Sequence, residues 1–465
     1  MSVDADDLRG FLAAFQRLNE LAASAAPTGA LPQLSDALSG FLGASAGSMS
    51  TVAREVPHHR YADYDVALEL LAGPDAQLLG IGGGDQRQHM SLADMVSSPW
   101  ARLPTGPVDW ANVPTGPDST RRAIALGLRL FRYRDVPVAV LQRRRNQLTG
   151  TGVAVLEVLS PDTELAGELI EEVGRLATEH SVLRGNVITL DLIGFEGEGD
   201  GYRFLPRPDL PASDVVLPEG LLERITGHVT GIAAHAEALR RWGQHLKRGV
   251  LLYGPPGTGK THTVRHLLGA TTGHTVFVLH GETLSLVGLA AAMARNLQPS
   301  IVVLEDCDLV AMDRGFGAGA RPLLFEVLDA LDGLDSDADV AFLLTTNRVD
   351  VLEEALAQRP GRVDLAVEIP LPGERERRRL LELYRGAVPF TDAALDEVAH
   401  RSDARTASFF KELMRRAVLI AAEAEVAPAD PHLHAALASL LDEQEKLSAK
   451  LITGFQDPTP YGDDA

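Results

Sequence analysis

Gly254-Pro255-Pro256-Gly257-Thr258-Gly259-Lys260-Thr261 follows the apolar run Gly249-Val250-Leu251-Leu252-Tyr253 and leads into helix-compatible residues His262 to Leu268. Strand, glycine-rich loop and helix in this order make a phosphate cradle. The glycines let the backbone curl so that successive N–H groups point into one concavity, and the helix start behind them favours anions. Lys260 is placed to reach the β/γ-phosphates, the Thr261 hydroxyl to ligate Mg²⁺, and His262 to continue the cradle into the helix. The loop implies a bound nucleoside triphosphate and, by itself, names no reaction.

Downstream, Ile301-Val302-Val303-Leu304 runs into Glu305-Asp306. An apolar run ending in acids reads as a buried strand whose C-terminal end opens onto a site, which is where ligands bind in open α/β sheets. One carboxylate would hold Mg²⁺ and the other would polarise the attacking water, the division of labour that phosphoryl transfer requires. Val340-Ala341-Phe342-Leu343-Leu344-Thr345-Thr346-Asn347 is a second such run and delivers Asn347, a neutral water-orienting side chain, to the same edge. Gln358-Arg359-Pro360-Gly361-Arg362-Val363-Asp364 then sets two arginines in a Pro-Gly turn. Arg359 reads as a finger that stabilises charge on the γ-phosphate. For Arg362 a structural ion pair stands as an equal alternative.

The chain has 465 residues, which implies about two to four domains. An apolar fraction of 45% points to a globular protein, and no uninterrupted apolar stretch reaches the ~18 to 20 residues of a membrane-spanning helix. The acidic start Met1-Ser2-Val3-Asp4-Ala5-Asp6-Asp7 is unlike a signal peptide, so the expected location is the cytoplasm, with no membrane partner. A formal charge of −21, from 43 Lys+Arg against 64 Asp+Glu, disfavours nucleic acid. Arg143-Arg144-Arg145 reads as a solvated hairpin tip, and the single cysteine, Cys307, as a small buried hydrophobe that excludes an internal disulfide.

Residues 1–52 read as a helical segment, Leu8 to Ala25, followed by a loose tether. Residues 53–205 read as an α+β domain with a convincing amphipathic helix at Thr163 to Glu179, and Gly82-Gly83-Gly84 within it as a turn. A proline-punctuated linker spans 206–220. Alternating strand and helix patterns over 221–372 argue a parallel sheet flanked by helices. Residues 373–452 are mainly helical, and 453–465 read as a disordered tail.

GPPGTGKT, VVLED, TTN and RPGRVD, in this order and spacing, resemble the AAA clade of the AAA+ ATPases over about Leu217 to Glu425. The resemblance implies an α/β P-loop NTPase fold, an αβα sandwich with a C-terminal helical lid, here preceded by the α+β domain. It also implies ATP and Mg²⁺ as cofactors, a homo-oligomeric ring that is usually a hexamer, and arginine fingers given to a neighbouring subunit. By position, Lys260 and Thr261 would be the phosphate and Mg²⁺ residues, Glu305 the metal-side acid and Asp306 the base. Asn347 would be the first sensor, and Arg359 and Arg362 the fingers. Thr406 to Leu413 looks like the second sensor region, with small residues in place of an arginine.

Three departures matter. The acids come as Glu305-Asp306, the reverse of the usual order, as in the AAA proteins that assemble mitochondrial respiratory complex III, whose ATPase module this one most resembles. At the central-pore position stand Leu286-Val287-Gly288, without the aromatic of unfolding machines. The first 205 residues lie outside the resemblance and would serve as adaptor for a protein client. The leading expectation is a ring ATPase that remodels or assembles such a client. The alternatives are a slowly hydrolysing, nucleotide-gated scaffold and, against the charge balance, a DNA-remodelling ATPase.

Overall fold

The computed structural model describes residues 31–98, 103–144, 153–192, 201–308, 338–348 and 363–453, together with a helical backbone at 10, 11, 13, 14 and 17. Arg359, Arg362, Arg145 and the tail from 454 onward lie outside the described residues. The chain divides into two compact units, one made mostly of residues up to Val182 and the other of Leu183–Leu192 and residues from Gly201 on.

The first unit holds α1 (Leu34–Leu42), β1 (Thr51–Val56), α2 (Tyr61–Ala72), β2 (Gln77–Ile81), α3 (Leu92–Ser97), β3 (Thr105–Gly106), β4 (Asp109–Gly116), β5 (Ser119–Tyr133), β6 (Val136–Arg143), β7 (Ala154–Leu159) and α4 (Thr163–Glu179). Its strands run in the order β1-β7-β6-β5-β2-β3, with β4 also on β5. Alternation along the strands sends Val138, Val140, Leu156 and Val158 into a core with α2 and α4. Ala139, Leu141 and Leu159 go to the opposite core with α1 and α3. Two sequence readings are corrected here. Residues 34–42 are no tether, because Leu34, Leu38 and Leu42 recur at helical spacing and are buried. Arg143 is no solvated tip: it is fully buried, donating to the carbonyls of Arg87 and Gln88 through Nη1 and of Met90 through Nη2.

In the second unit come β8 (Val187–Leu190), β9 (Tyr202–Leu205), α5 (Leu221–Ala234), α6 (Ala236–Arg241), β10 (Arg248–Tyr253), α7 (Lys260–Ala270), β11 (Thr275–His280), α8 (Val287–Asn296), β12 (Ser300–Glu305), β13 (Val340–Thr346) and β14 (Leu365–Glu368). The sheet order is β14-β10-β13-β12-β11-β8-β9, parallel except for the β8–β9 pair. β8 and β9 therefore extend the nucleotide-domain sheet, although the sequence reading places residues up to 205 in the preceding domain. Their patterns are too short to show which sheet they join. Ile301, Val303, Ala341 and Leu343 face the layer of α5 and α7. Val302, Leu304, Phe342 and Leu344, equally buried, point the other way, which makes the αβα sandwich.

The lid follows as α9 (Glu374–Arg385), α10 (Asp392–Arg401), α11 (Ala407–Glu423) and α12 (Asp430–Thr453). Leu380, Leu395, Phe410, Leu413, Leu433 and Leu437 close its core. The P-loop NTPase architecture with a helical lid is thus as the sequence reading expects. Among the described residues no helix is long and apolar enough to cross a membrane.

Candidate functional site: the phosphate loop and its acidic partners

β10 is buried and ends at Tyr253, after which the chain must reverse over a few residues to enter α7. The reversal uses Gly254, Gly257 and Gly259 at φ of 143°, 76° and 111°, a region that side-chain-bearing residues avoid. A Cβ on Gly254 would also fall 2.3 Å from the carbonyl oxygen of Ile369. Lys260 Nζ donates back to the carbonyls of Gly254 at 2.8 Å and Pro255 at 2.9 Å, and the Thr258 hydroxyl caps Pro255 as well. An ammonium has three donors, so one remains for an anion in the loop. Burial lowers the Lys260 pKa, and the carboxylates of Asp306 and Asp308 oppose that shift.

β13 lies between β10 and β12, so the ends of all three strands meet beside this loop. Glu305 ends β12. Burial and then the neighbouring Asp306 raise its pKa above the usual carboxylate value, while the nearby Thr261 hydroxyl pulls it down. A carboxyl held high in this way, beside a hydroxyl at the head of the phosphate loop, has the chemistry of a site that a divalent cation would complete. Thr261 and Glu305 would hold Mg²⁺ there, with water and phosphate oxygens supplying the remaining ligands.

Asp306 turns away from the strand at φ 52°, a left-handed conformation that aspartate tolerates better than most residues. The turn is held by its neighbours: Asp306 N–H donates to Thr345 Oγ1 at 3.0 Å and Cys307 N–H to the Thr345 carbonyl at 3.0 Å. Asn347 Nδ2 reaches Asp306 Oδ1 at 3.4 Å. Asp308, absent from the sequence reading, supports the other side. Its Oδ1 accepts from the Asn347 backbone N–H at 3.0 Å and the Thr346 hydroxyl at 3.1 Å. Burial pushes Asp308 up, but these donors together hold its pKa below the usual value. The only sequence signal for it is the spacing Asp306-Cys307-Asp308. Cys307 is buried, and burial pushes its thiol up to about 12, which leaves it inert as the sequence reading expects.

A cavity of about 420 Å³ opens over the loop. Lys260, Thr261, Asp306 and Asn347 line its polar end, and Val216, Leu217, Leu380 and Tyr384 form an apolar slot suited to a base. Glu305 instead faces a second cavity of about 440 Å³ on the far side of Thr261, with Arg207 and Arg265. Thr261 lines both cavities, so Asp306 and Glu305 stand on either side of the first turn of α7. The lid closes onto the loop at Gly257, whose carbonyl accepts from the Ser408 N–H at 3.1 Å. In Leu286-Val287-Gly288, Val287 is fully buried at the start of α8.

Residues 250–371 match the family described as "ATPase family associated with various cellular activities (AAA)". The chain is 32% identical over 232 residues to human ATPase family gene 2 protein homolog A, covering 47% of this chain and 26% of that protein. It is 34% identical over 240 residues to ATP-dependent zinc metalloprotease FtsH 2 of Sphaerobacter thermophilus, covering 49% and 36%. It is 31% identical over 230 residues to the 26S proteasome regulatory subunit 6B homolog of Schizosaccharomyces pombe, covering 46% and 59%. About half of this chain is thus shared, and it spans between about a quarter and three fifths of these relatives' own length. The stretch that matches holds the phosphate loop, the acid-tipped strand and Asn347, and the chain thus carries an AAA ATPase domain with homologues in the AAA family.

Proposed function

We propose that the chain hydrolyses ATP and uses the turnover, as a ring of identical subunits, to remodel or assemble a protein client chosen by the N-terminal unit. The observation that carries this reading is Asp306, fixed by Thr345 and Asn347 and facing Lys260 across the cavity. Asp306 would take a proton from water as the water oxygen attacks the γ-phosphorus, and the bond to the ADP oxygen breaks. Asn347 would orient that water and Lys260 would hold the β/γ-phosphates. Mg²⁺, held by Thr261 and Glu305, would neutralise charge on the phosphate oxygens. Arg359 and Arg362 would act from a neighbouring subunit.

A slowly hydrolysing, nucleotide-gated scaffold is the second reading. It is favoured by the Glu305-Asp306 order and by a pore position with Val287 buried and no aromatic ring. The same acid order supports a place near the AAA proteins that assemble mitochondrial respiratory complex III. A DNA-remodelling role stands against the charge of −21.

Steady-state hydrolysis by the wild type, Lys260→Ala and Asp306→Asn decides between these readings. The motor reading requires a wild-type rate well above both variants, and a wild-type rate equal to that of Asp306→Asn leaves the scaffold. Mixing Arg359→Ala with Lys260→Ala subunits tests donation between subunits, which recovery of turnover would support.

A further inference from the structure

α6 ends in a backbone-capped turn. Gly243, at φ 68°, is the left-handed residue after the helix. The Gln244 N–H donates to the Leu239 carbonyl at 2.9 Å and the Gly243 N–H to the Arg240 carbonyl at 3.0 Å. The Gln244 side chain donates to the Trp242 carbonyl at 3.2 Å, and Leu246, fully buried, anchors the turn at its far end. Backbone bonds and this one apolar anchor fix the turn without the indole of Trp242, which is 77% exposed. Arg240 and Arg241 beside it are exposed as well, and among the described residues neither guanidinium has a hydrogen-bond or ion-pair partner. From Ala238 to Lys247 the chain carries three cations and no acid, in a protein of net charge −21. Tryptophan and arginine are the residues at which binding energy concentrates in interfaces.

The surface calls for an acidic, aromatic partner, and the chain carries one. Gly454-Phe455-Gln456-Asp457-Pro458-Thr459-Pro460-Tyr461-Gly462-Asp463-Asp464-Ala465, outside the described residues, has two aromatic rings, three acids and no cation. It follows α12, which belongs to the same compact unit as α6. These twelve residues span up to about 40 Å when extended, against a radius of gyration of about 19 Å for a unit of about 280 residues.

We propose that this segment docks on the Arg240-Arg241-Trp242 surface of its own chain, with Asp463 and Asp464 on the two guanidiniums and Tyr461 against the indole. The tether gives the segment a local concentration of about 1 mM, which favours it over the same segment of a second copy. Pro458 and Pro460 reduce the freedom that docking removes. Any other partner that uses Trp242 must first displace the segment. The docking involves none of the residues of the nucleotide site.

Acrylamide quenching of tryptophan emission in the full chain tests this. Subtracting the matching Trp242→Phe variant, which keeps Trp100 and Trp110, isolates the Trp242 signal. An effective concentration of about 1 mM against a Kd of about 0.5 mM keeps about two thirds of the chains docked, so release should raise the Trp242 quenching constant about threefold. Tyr461→Ala combined with Asp463→Asn and Asp464→Asn should give that release, and so should Arg240→Ala combined with Arg241→Ala. In the Trp242→Phe background the same substitutions should leave quenching unchanged, which separates undocking from unfolding. Equal quenching of Trp242 in the wild type and both combined variants would overturn the proposal. Protection that survives the substitutions in the segment would also overturn it and assign the surface to a different partner. Protection that fades on dilution would overturn docking within one chain and assign the surface to a second copy.

Discussion

Asn347 and Asp306 stand 3.4 Å apart, Nδ2 to Oδ1, although they directly follow separate strands, β13 and β12. The contact aims a carboxylate that the backbone has already turned out of its strand at φ 52°. With Asn347 on Oδ1 and Thr345 on the backbone N–H, the carboxylate keeps its remaining lone pairs for water. Asp306→Asn keeps the left-handed turn, since asparagine also tolerates it, and removes only the proton acceptor. Turnover should fall about 10²-fold or more with ATP affinity retained, as read by steady-state rates and a binding isotherm. Asp306→Ala should, in addition, lower thermal stability, because alanine pays for the left-handed backbone.

Gly257 at φ 76° is the tightest joint between loop and lid: an added Cβ would lie 2.4 Å from Ser408 Oγ and 3.2 Å from Thr406 Oγ1. Gly257→Ala should cost about 1 kcal/mol or more from backbone strain alone, with a further loss from the clash. Ser408→Ala in the same chain removes the nearest atom and should recover the clash part only. Urea midpoints of the single and double variants measure this. Strict additivity would show that lid and loop do not press on each other.

At the other end of β10, Arg248 is fully buried, donating to Asp339 Oδ1 at 2.7 Å and to the carbonyls of Val229 and Leu246. Asp339→Ala strands that guanidinium and should cost about 3 kcal/mol or more. Arg248→Met combined with Asp339→Leu should regain much of the loss, because the pair's desolvation cost disappears with its charges. The midpoint of chemical denaturation reports both, while nucleotide affinity of the folded protein should stay constant because the pair lies far along β10 from the loop.

The loop and strand ends were legible in the sequence because each residue's role is set locally. Gly254 to Thr261 encode their own turn, and an apolar run such as Ile301 to Leu304 can only be a buried strand beside one. What stayed hidden depends on contacts distant in the chain. Asp308 matters through Thr346 and Asn347, some forty residues on. Arg143 looked exposed because three arginines in a row suggest solvent, yet carbonyls from 87 to 90 enclose it. β8 pairs with β11 across most of the nucleotide domain's first half, and its Val-Ile-Thr-Leu carries no mark of which sheet it joins.

Glu305 gives the nucleotide-free protein a pH signature. Burial and Asp306 raise its folded pKa above that of the unfolded chain. Below about pH 4.3 both states carry the proton and Glu305 is neutral in its effect. As pH rises past that value the unfolded chain releases its proton first, so folding loses stability until the folded carboxyl ionises as well, and the deficit then stays constant. Glu305→Gln should therefore be more stable than the wild type at neutral pH without nucleotide, and this advantage should vanish in acid. Added Mg²⁺ and ATP should reverse the order, because the wild type gains a cation partner that glutamine holds poorly. Denaturation midpoints from pH 4 to 8, with and without Mg²⁺ and ATP, check both signs. An advantage for Glu305→Gln that grows in acid would mean that the carboxyl is stabilised as the anion in the empty site, and that it does not wait for a metal.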